Sequence, residues 1–196
     1  MGELYLHDLK YYIEKFNCQQ FVETGSGKGT GLSHALKYDF NKLYSIEIIE
    51  DLHNYCTANF KDPRLELICN NSINGLQNVL SRLDNTPCLF WLDAHFPGAD
   101  FHYNSYDHLS DVPELHKPLK KEIEFIKHSR PFSQDVFIID DLQIYEDGPF
   151  ELLNKDFKNK YGESNINFVK ELYEDTHNFT RDYRHQGFLI LTPKKA

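Results

Sequence analysis

Gln20-Phe-Val-Glu-Thr-Gly-Ser-Gly-Lys-Gly-Thr-Gly31 decides the fold. Gln20 to Thr24 is a short run of strand character around Phe21 and Val22, Gly25 to Gly31 is dense in glycine, and a helical pattern follows to Tyr38. Strand, glycine turn and helix in that order open a nucleotide-binding βα unit, because glycine lets the backbone take φ > 0 and approach a ligand with no Cβ in the way. Lys28-Gly-Thr30 invites comparison with a phosphate-cradling P-loop, but the order G-x-x-x-x-G-K-[ST] is absent.

Outward from this unit, apolar runs and helical patterns alternate, which is the signature of a parallel sheet with crossover helices. An opening helix is expected over Leu4–Phe16. Strands are expected at Lys42–Ile48, Leu65–Cys69, Cys88–Asp93 and Val136–Asp140, with helices over Asp51–Asn59, from Ser72 to about Leu83, and up to Lys127. A last helix falls within Phe150–Asp175. Asn178–Arg184 and Gly187–Thr192 lie too close together for a crossover helix, so they are expected to pair antiparallel. The expected architecture is a single α/β domain over residues 1–196. It is a doubly wound, Rossmann-like, seven-stranded sheet, mostly parallel with a C-terminal antiparallel hairpin and helices on both faces.

The 196 residues carry a net charge of −9, 40% hydrophobic and 26% charged residues, an ordinary globular balance. The acidic surplus disfavours non-specific nucleic-acid binding. No apolar run reaches the about 20 residues a membrane span needs, and Met1-Gly-Glu-Leu-Tyr5 has no leader character. Cys18, Cys56, Cys69 and Cys88 form no C-x-x-C pair, as expected of reduced thiols in a cytoplasmic protein.

Glu23 stands just before Gly25, where a carboxylate would repel a pyrophosphate but attract the ammonium of an amino-acid tail. Glu47, about 20 residues beyond the turn at a strand end, suits the hydroxyls of a ribose. The string Glu23-x-Gly25-x-Gly27-x-Gly29 and the terminal antiparallel pair resemble class I S-adenosylmethionine-dependent methyltransferases. The resemblance spans almost the whole chain. It implies a cofactor site at Glu23, Gly25, Ser26, Gly27 and Glu47, with Asn71 and Ser72 toward the adenine where many relatives have Asp, and with Asp93 beside them.

Asp93, Asp140 and Asp141 end strands at the sheet edge where ligands bind in such folds. Three carboxylates facing one crevice repel one another unless a cation lies between them, and oxygen-only donors suit Mg²⁺ or another hard divalent ion. Trp91-Leu-Asp-Ala-His95 and Phe137-Ile-Ile-Asp-Asp141 resemble the Mg²⁺-dependent sugar O-methyltransferases of the macrocin O-methyltransferase type. That resemblance implies Asp93, Asp140 and Asp141 as metal ligands. The family's second acidic position in the first string is His95 here, so the proton acceptor is expected to be His95 or Asp93, imidazole titrating near neutrality.

Residues 97–118 are expected to form a lid or substrate loop, with His102, His108 and His116 among Asp100, Asp107, Asp111 and Glu114. Arg181 and Arg184 read as exposed strand charges. The expected activity is methyl transfer from S-adenosylmethionine to a hydroxyl of a small molecule or glycan, with divalent-metal assistance. No nucleic-acid or membrane partner is expected; a second subunit is one way to complete the substrate wall. The alternatives are an NAD-type oxidoreductase and a non-catalytic cofactor-binding or interaction protein.

Overall fold

The computed structural model describes residues 2–103, 115–131, 134–153 and 165–194. Seven strands form one sheet: β1 (Gln20–Thr24), β2 (Lys42–Glu47), β3 (Leu65–Cys69), β4 (Cys88–Leu92), β5 (Val136–Ile139), β6 (His177–Asp182) and β7 (Phe188–Pro193). Their order is β3-β2-β1-β4-β5-β7-β6. β1 to β5 pair parallel, whereas β7 runs antiparallel to both β5 and β6. The hairpin thus turns back on itself, and the last strand of the chain lies inside the one before it.

Helices cover both faces: α1 (Leu9–Phe16), α2 (Thr30–Ala35), α3 (Glu50–Asn59), α4 (Ser72–Leu80), α5 (Leu119–Ser129) and α6 (Asn167–Tyr173). Side chains alternate across each strand. Val22, Phe90, Leu92, Phe137 and Ile139 pack with α4, α5 and α6. Phe21, Leu89, Trp91, Val136 and Ile138 pack with α1 and α2 on the other face. Two-sided burial explains the unbroken apolar run of β4.

The expected opening helix divides into a 3₁₀ turn at Leu4–Leu6 and α1, because Asp8 accepts from Lys10 N and starts a new helix. α2 is shorter than expected, and strand ends differ by a residue or so. Of the expected helix within Phe150–Asp175, α6 is its described part; residues 154–164 lie outside the described residues.

At the amino ends of the strands, Arg130 fastens the sheet. Its guanidinium grips both oxygens of Asp135 at 2.8 Å and donates to the carbonyls of Asp84 and Thr86. Asp135 also accepts from Cys88 N at 2.8 Å. Among the described residues, no helix is long and apolar enough to cross a membrane.

Candidate active site

The strand order reverses between β1 and β4, and at their carboxyl ends a cleft of about 890 Å³ opens. The glycine turn forms one wall. A Cβ at Gly25 (φ +82°) would stand 2.2 Å from the carbonyl oxygen of Asp93, so only glycine lets the β1 turn pass the end of β4.

Glu23 is buried at 1% exposure beneath that turn. The β1–β2 register sets it opposite Ser45, whose hydroxyl donates to Glu23 Oε2 at 2.5 Å and also meets Ser26 Oγ. Gly31 leaves room for the carboxylate: a Cβ there would stand 2.3 Å from Glu23 Oε1. Burial pushes Glu23 up to about 8; the Ser45 hydrogen bond acts against burial, and nearby Glu47 adds to it. Glu47 closes the far end of the cleft, its two oxygens accepting from Gly27 N at 2.7 Å and Ile49 N at 2.8 Å. Burial raises Glu47 as well, and these backbone donors oppose it.

Asn71 and Ser72 line the same cleft. Asn71 caps α4, accepting from Asn74 N at 2.9 Å, so its carbonyl oxygen is engaged in the turn. Ser72 hydrogen-bonds Glu122, a carboxylate absent from the sequence-based expectations. Glu122 sits at 1% exposure on the apolar stripe Leu119, Ile123, Ile126 of α5. Burial lifts it to about 7, with the Ser72 and Thr24 hydroxyls and His95 favouring its charge. A carboxylate in an apolar helical stripe is legible in sequence, and it was the available signal.

Asp93, His95 and Asp141 converge. One ligand atom from each lies within 4.8 Å of the others. His95 Nε2 hydrogen-bonds Asp141 Oδ2 and stands 3.5 Å from Asp93 Oδ1. Burial alone would lower His95; the charge and hydrogen bond of Asp141, with Asp140, outweigh it and raise the imidazole. Burial, then Asp140 and Asp141, lift Asp93 well above the carboxylate range. Burial and Asp141 do the same for Asp140. Asp140 falls outside the convergent group. The donors gathered are therefore two carboxylates and an imidazole nitrogen, not the all-oxygen set that Mg²⁺ favours.

The amino-terminal stretch walls this cluster, which the sequence did not suggest. A Cβ at Gly2 would stand 2.0 Å from Asp93 Oδ2 and 3.0 Å from Asp140 Oδ2. Glu3 pairs with His185 at 2.7 Å. Of the expected lid, Pro97, Gly98, Asp100 and Phe101 line the cleft, with Phe101 against Gly27. Residues 104–114, with His108, Asp107, Asp111 and Glu114, lie outside the described residues. His116 is buried, its carbonyl accepting from Phe96 N. Arg181 and Arg184 are engaged by Glu146 and Asp182.

No family model and no curated protein matches the sequence. Solved structures do match. A candidate caffeoyl-CoA O-methyltransferase from Staphylococcus aureus aligns over 98% of this chain and 84% of its own, with TM-score 0.62 and 15% identity. A candidate rRNA methylase from Clostridium thermocellum aligns over 98% of both chains, with TM-score 0.60 and 16% identity. An O-methyltransferase from Bacillus cereus in complex with SAH aligns over 95% of this chain and 79% of its own, with TM-score 0.53 and 12% identity. With its antiparallel β7 set between β5 and β6 and its glycine turn at the reversal point, this chain shares the fold of these solved methyltransferases.

Proposed function

We propose that the protein is an S-adenosylmethionine-dependent O-methyltransferase acting on a hydroxyl of a small molecule or glycan. The observation that carries the proposal is Glu23, a buried carboxylate set beside the glycine turn in the cleft that also holds Glu47. A cationic amino-acid tail joined to an adenosine meets both needs at once: the ammonium supplies the charge that buried Glu23 lacks, and the ribose hydroxyls donate to Glu47. Gly25, Ser26 and Gly27 line the path between them, with Asn71 and Ser72 on the adenine side and Asp93 at the methionine end.

In the reaction, the acceptor oxygen attacks the sulfonium methyl in line. The new C–O bond forms as the C–S bond breaks, the sulfonium becomes a neutral thioether, and the hydroxyl proton passes to a free carboxylate oxygen of Asp93, beside His95. Holding the two reactants in line is itself a large part of such catalysis. The antiparallel β7 favours this reading over an NAD-type oxidoreductase, and the net charge of −9 favours a small acceptor over RNA.

Calorimetry with S-adenosylmethionine, S-adenosylhomocysteine and NAD tests the cofactor. Binding of the first two and not the third is expected; tight NAD binding alone overturns the proposal. Transfer of labelled methyl to an acceptor panel of hydroxylated metabolites, glycans and RNA tests the rest. No transfer to any of them, with the cofactor bound, leaves a binding protein and overturns the enzymatic role, while methylation confined to RNA overturns the acceptor class.

A further inference from the structure

We infer that Asp93, His95 and Asp141 form a site for a borderline divalent ion of the manganese, iron(II), cobalt or zinc kind, held through the His95 imidazole and favoured over magnesium. The inference takes only the location of the site from the methyltransferase reading.

The geometry comes first. Three ligand atoms lie within 4.8 Å of one another, and the side chains are only 13%, 11% and 10% exposed in the order Asp93, His95, Asp141. Donor density comes second. Asp93 and Asp141 face one imidazole, with Asp140 and Glu122 beside it, a concentration of acceptor atoms that a single divalent cation would satisfy together.

An independent observation lies next to the group. A narrow pocket, with room for about one water, is lined by His95, Glu122, Asp140 and Tyr145. Glu122, which lines it, has its Oε1 buried without a hydrogen-bond partner. Buried polar atoms are nearly always satisfied, so an orphaned oxygen on a carboxylate lining a pocket marks a place for a donor, such as a water held by an ion.

Donor chemistry selects the ion. Magnesium is a hard cation that takes oxygen ligands in near-ideal octahedral geometry and keeps several waters. Imidazole suits the transition ions, which accept mixed nitrogen and oxygen donors. Where a third carboxylate would make a hard site, this chain has His95.

The test uses metal-stripped full-length protein titrated with Mn²⁺, Co²⁺ and Mg²⁺. Mn²⁺ should bind at least about tenfold more tightly than Mg²⁺, and its pulsed EPR spectrum should carry a ¹⁴N coupling from the imidazole. His95→Asp should abolish that coupling and narrow the Mn²⁺ preference by about tenfold or more. Asp141→Asn, a milder change of shape, should weaken Mn²⁺ binding while retaining the nitrogen signal of the remaining bound ion. Absence of Mn²⁺ binding, bound Mn²⁺ with no nitrogen coupling, or an unchanged preference in folded His95→Asp overturns the inference. S-adenosylhomocysteine calorimetry on the same samples separates the two readings. Cofactor binding without metal binding overturns the ion site alone; metal binding without cofactor binding overturns the methyltransferase reading alone.

Discussion

Glu23→Gln replaces the buried carboxylate with an uncharged amide of nearly the same shape. Displacement from 4.5 to about 8 at about 1.4 kcal/mol per unit places an upper bound of about 5 kcal/mol on what the fold holds against the ionised form. The folded pKa lies above the unfolded one, so the folded chain holds the extra proton between pH 4.5 and about 8. Wild-type stability should therefore fall as pH rises through that window, and the variant should fall less steeply, by the share that Glu23 contributes. Near pH 8 Glu23→Gln should be the more stable protein without cofactor. The ligand reverses the order. An ammonium needs the ionised carboxylate, so S-adenosylmethionine binding at pH 7 should release up to about 0.9 proton from Glu23. Affinity should rise with pH toward 8, and the variant should bind at least about tenfold more weakly, the loss of one charge-assisted hydrogen bond. Calorimetry in two buffers of different ionisation enthalpy counts the released protons, and urea melts at several pH values read the stability. Equal proton release by wild type and variant, or parallel stability curves from pH 5 to 8, would refute the reasoning.

Gly31→Ala, which in an ordinary helix gains stability, should here cost about 1–3 kcal/mol and weaken cofactor binding, because the new Cβ meets Glu23 Oε1 at 2.3 Å; thermal melts and calorimetry check it. Arg130→Ala leaves the Asp135 charge buried and should cost about 3–5 kcal/mol in urea unfolding, with cofactor affinity of the folded fraction unchanged. Burial holds His7 down at about 4, so its contribution to stability is fully present above pH 6.5 and is lost as pH falls toward 4; His7→Phe should flatten that part of the acid-unfolding curve.

The sheet was legible because its signals are local. Cys88–Leu92 is apolar throughout, Gly25 follows a strand directly, and the stretch from His177 to Pro193 is too short for a crossover. The strand order was less accessible, since nothing in Phe188–Pro193 announces that it pairs with β5 as well as β6. At the site, Glu23, Glu47 and Asp93 were readable from their places at strand ends. The pairing of Asp141 with His95 was not, because it depends on Asp141 adopting a left-handed backbone (φ +51°) that swings its carboxylate away from the direction a continued strand would give. Gly2 lies far in sequence from the carboxylates it covers, and no periodicity reports such a contact.

Placing β7 between β5 and β6 fixes when this protein can finish folding. Until Pro193 has left the ribosome, the open edge of β5 has no partner, and a chain stalled or cleaved before Phe188 presents that apolar edge to its neighbours. A domain made without β7 is therefore expected to aggregate rather than to persist as a trimmed, working fold.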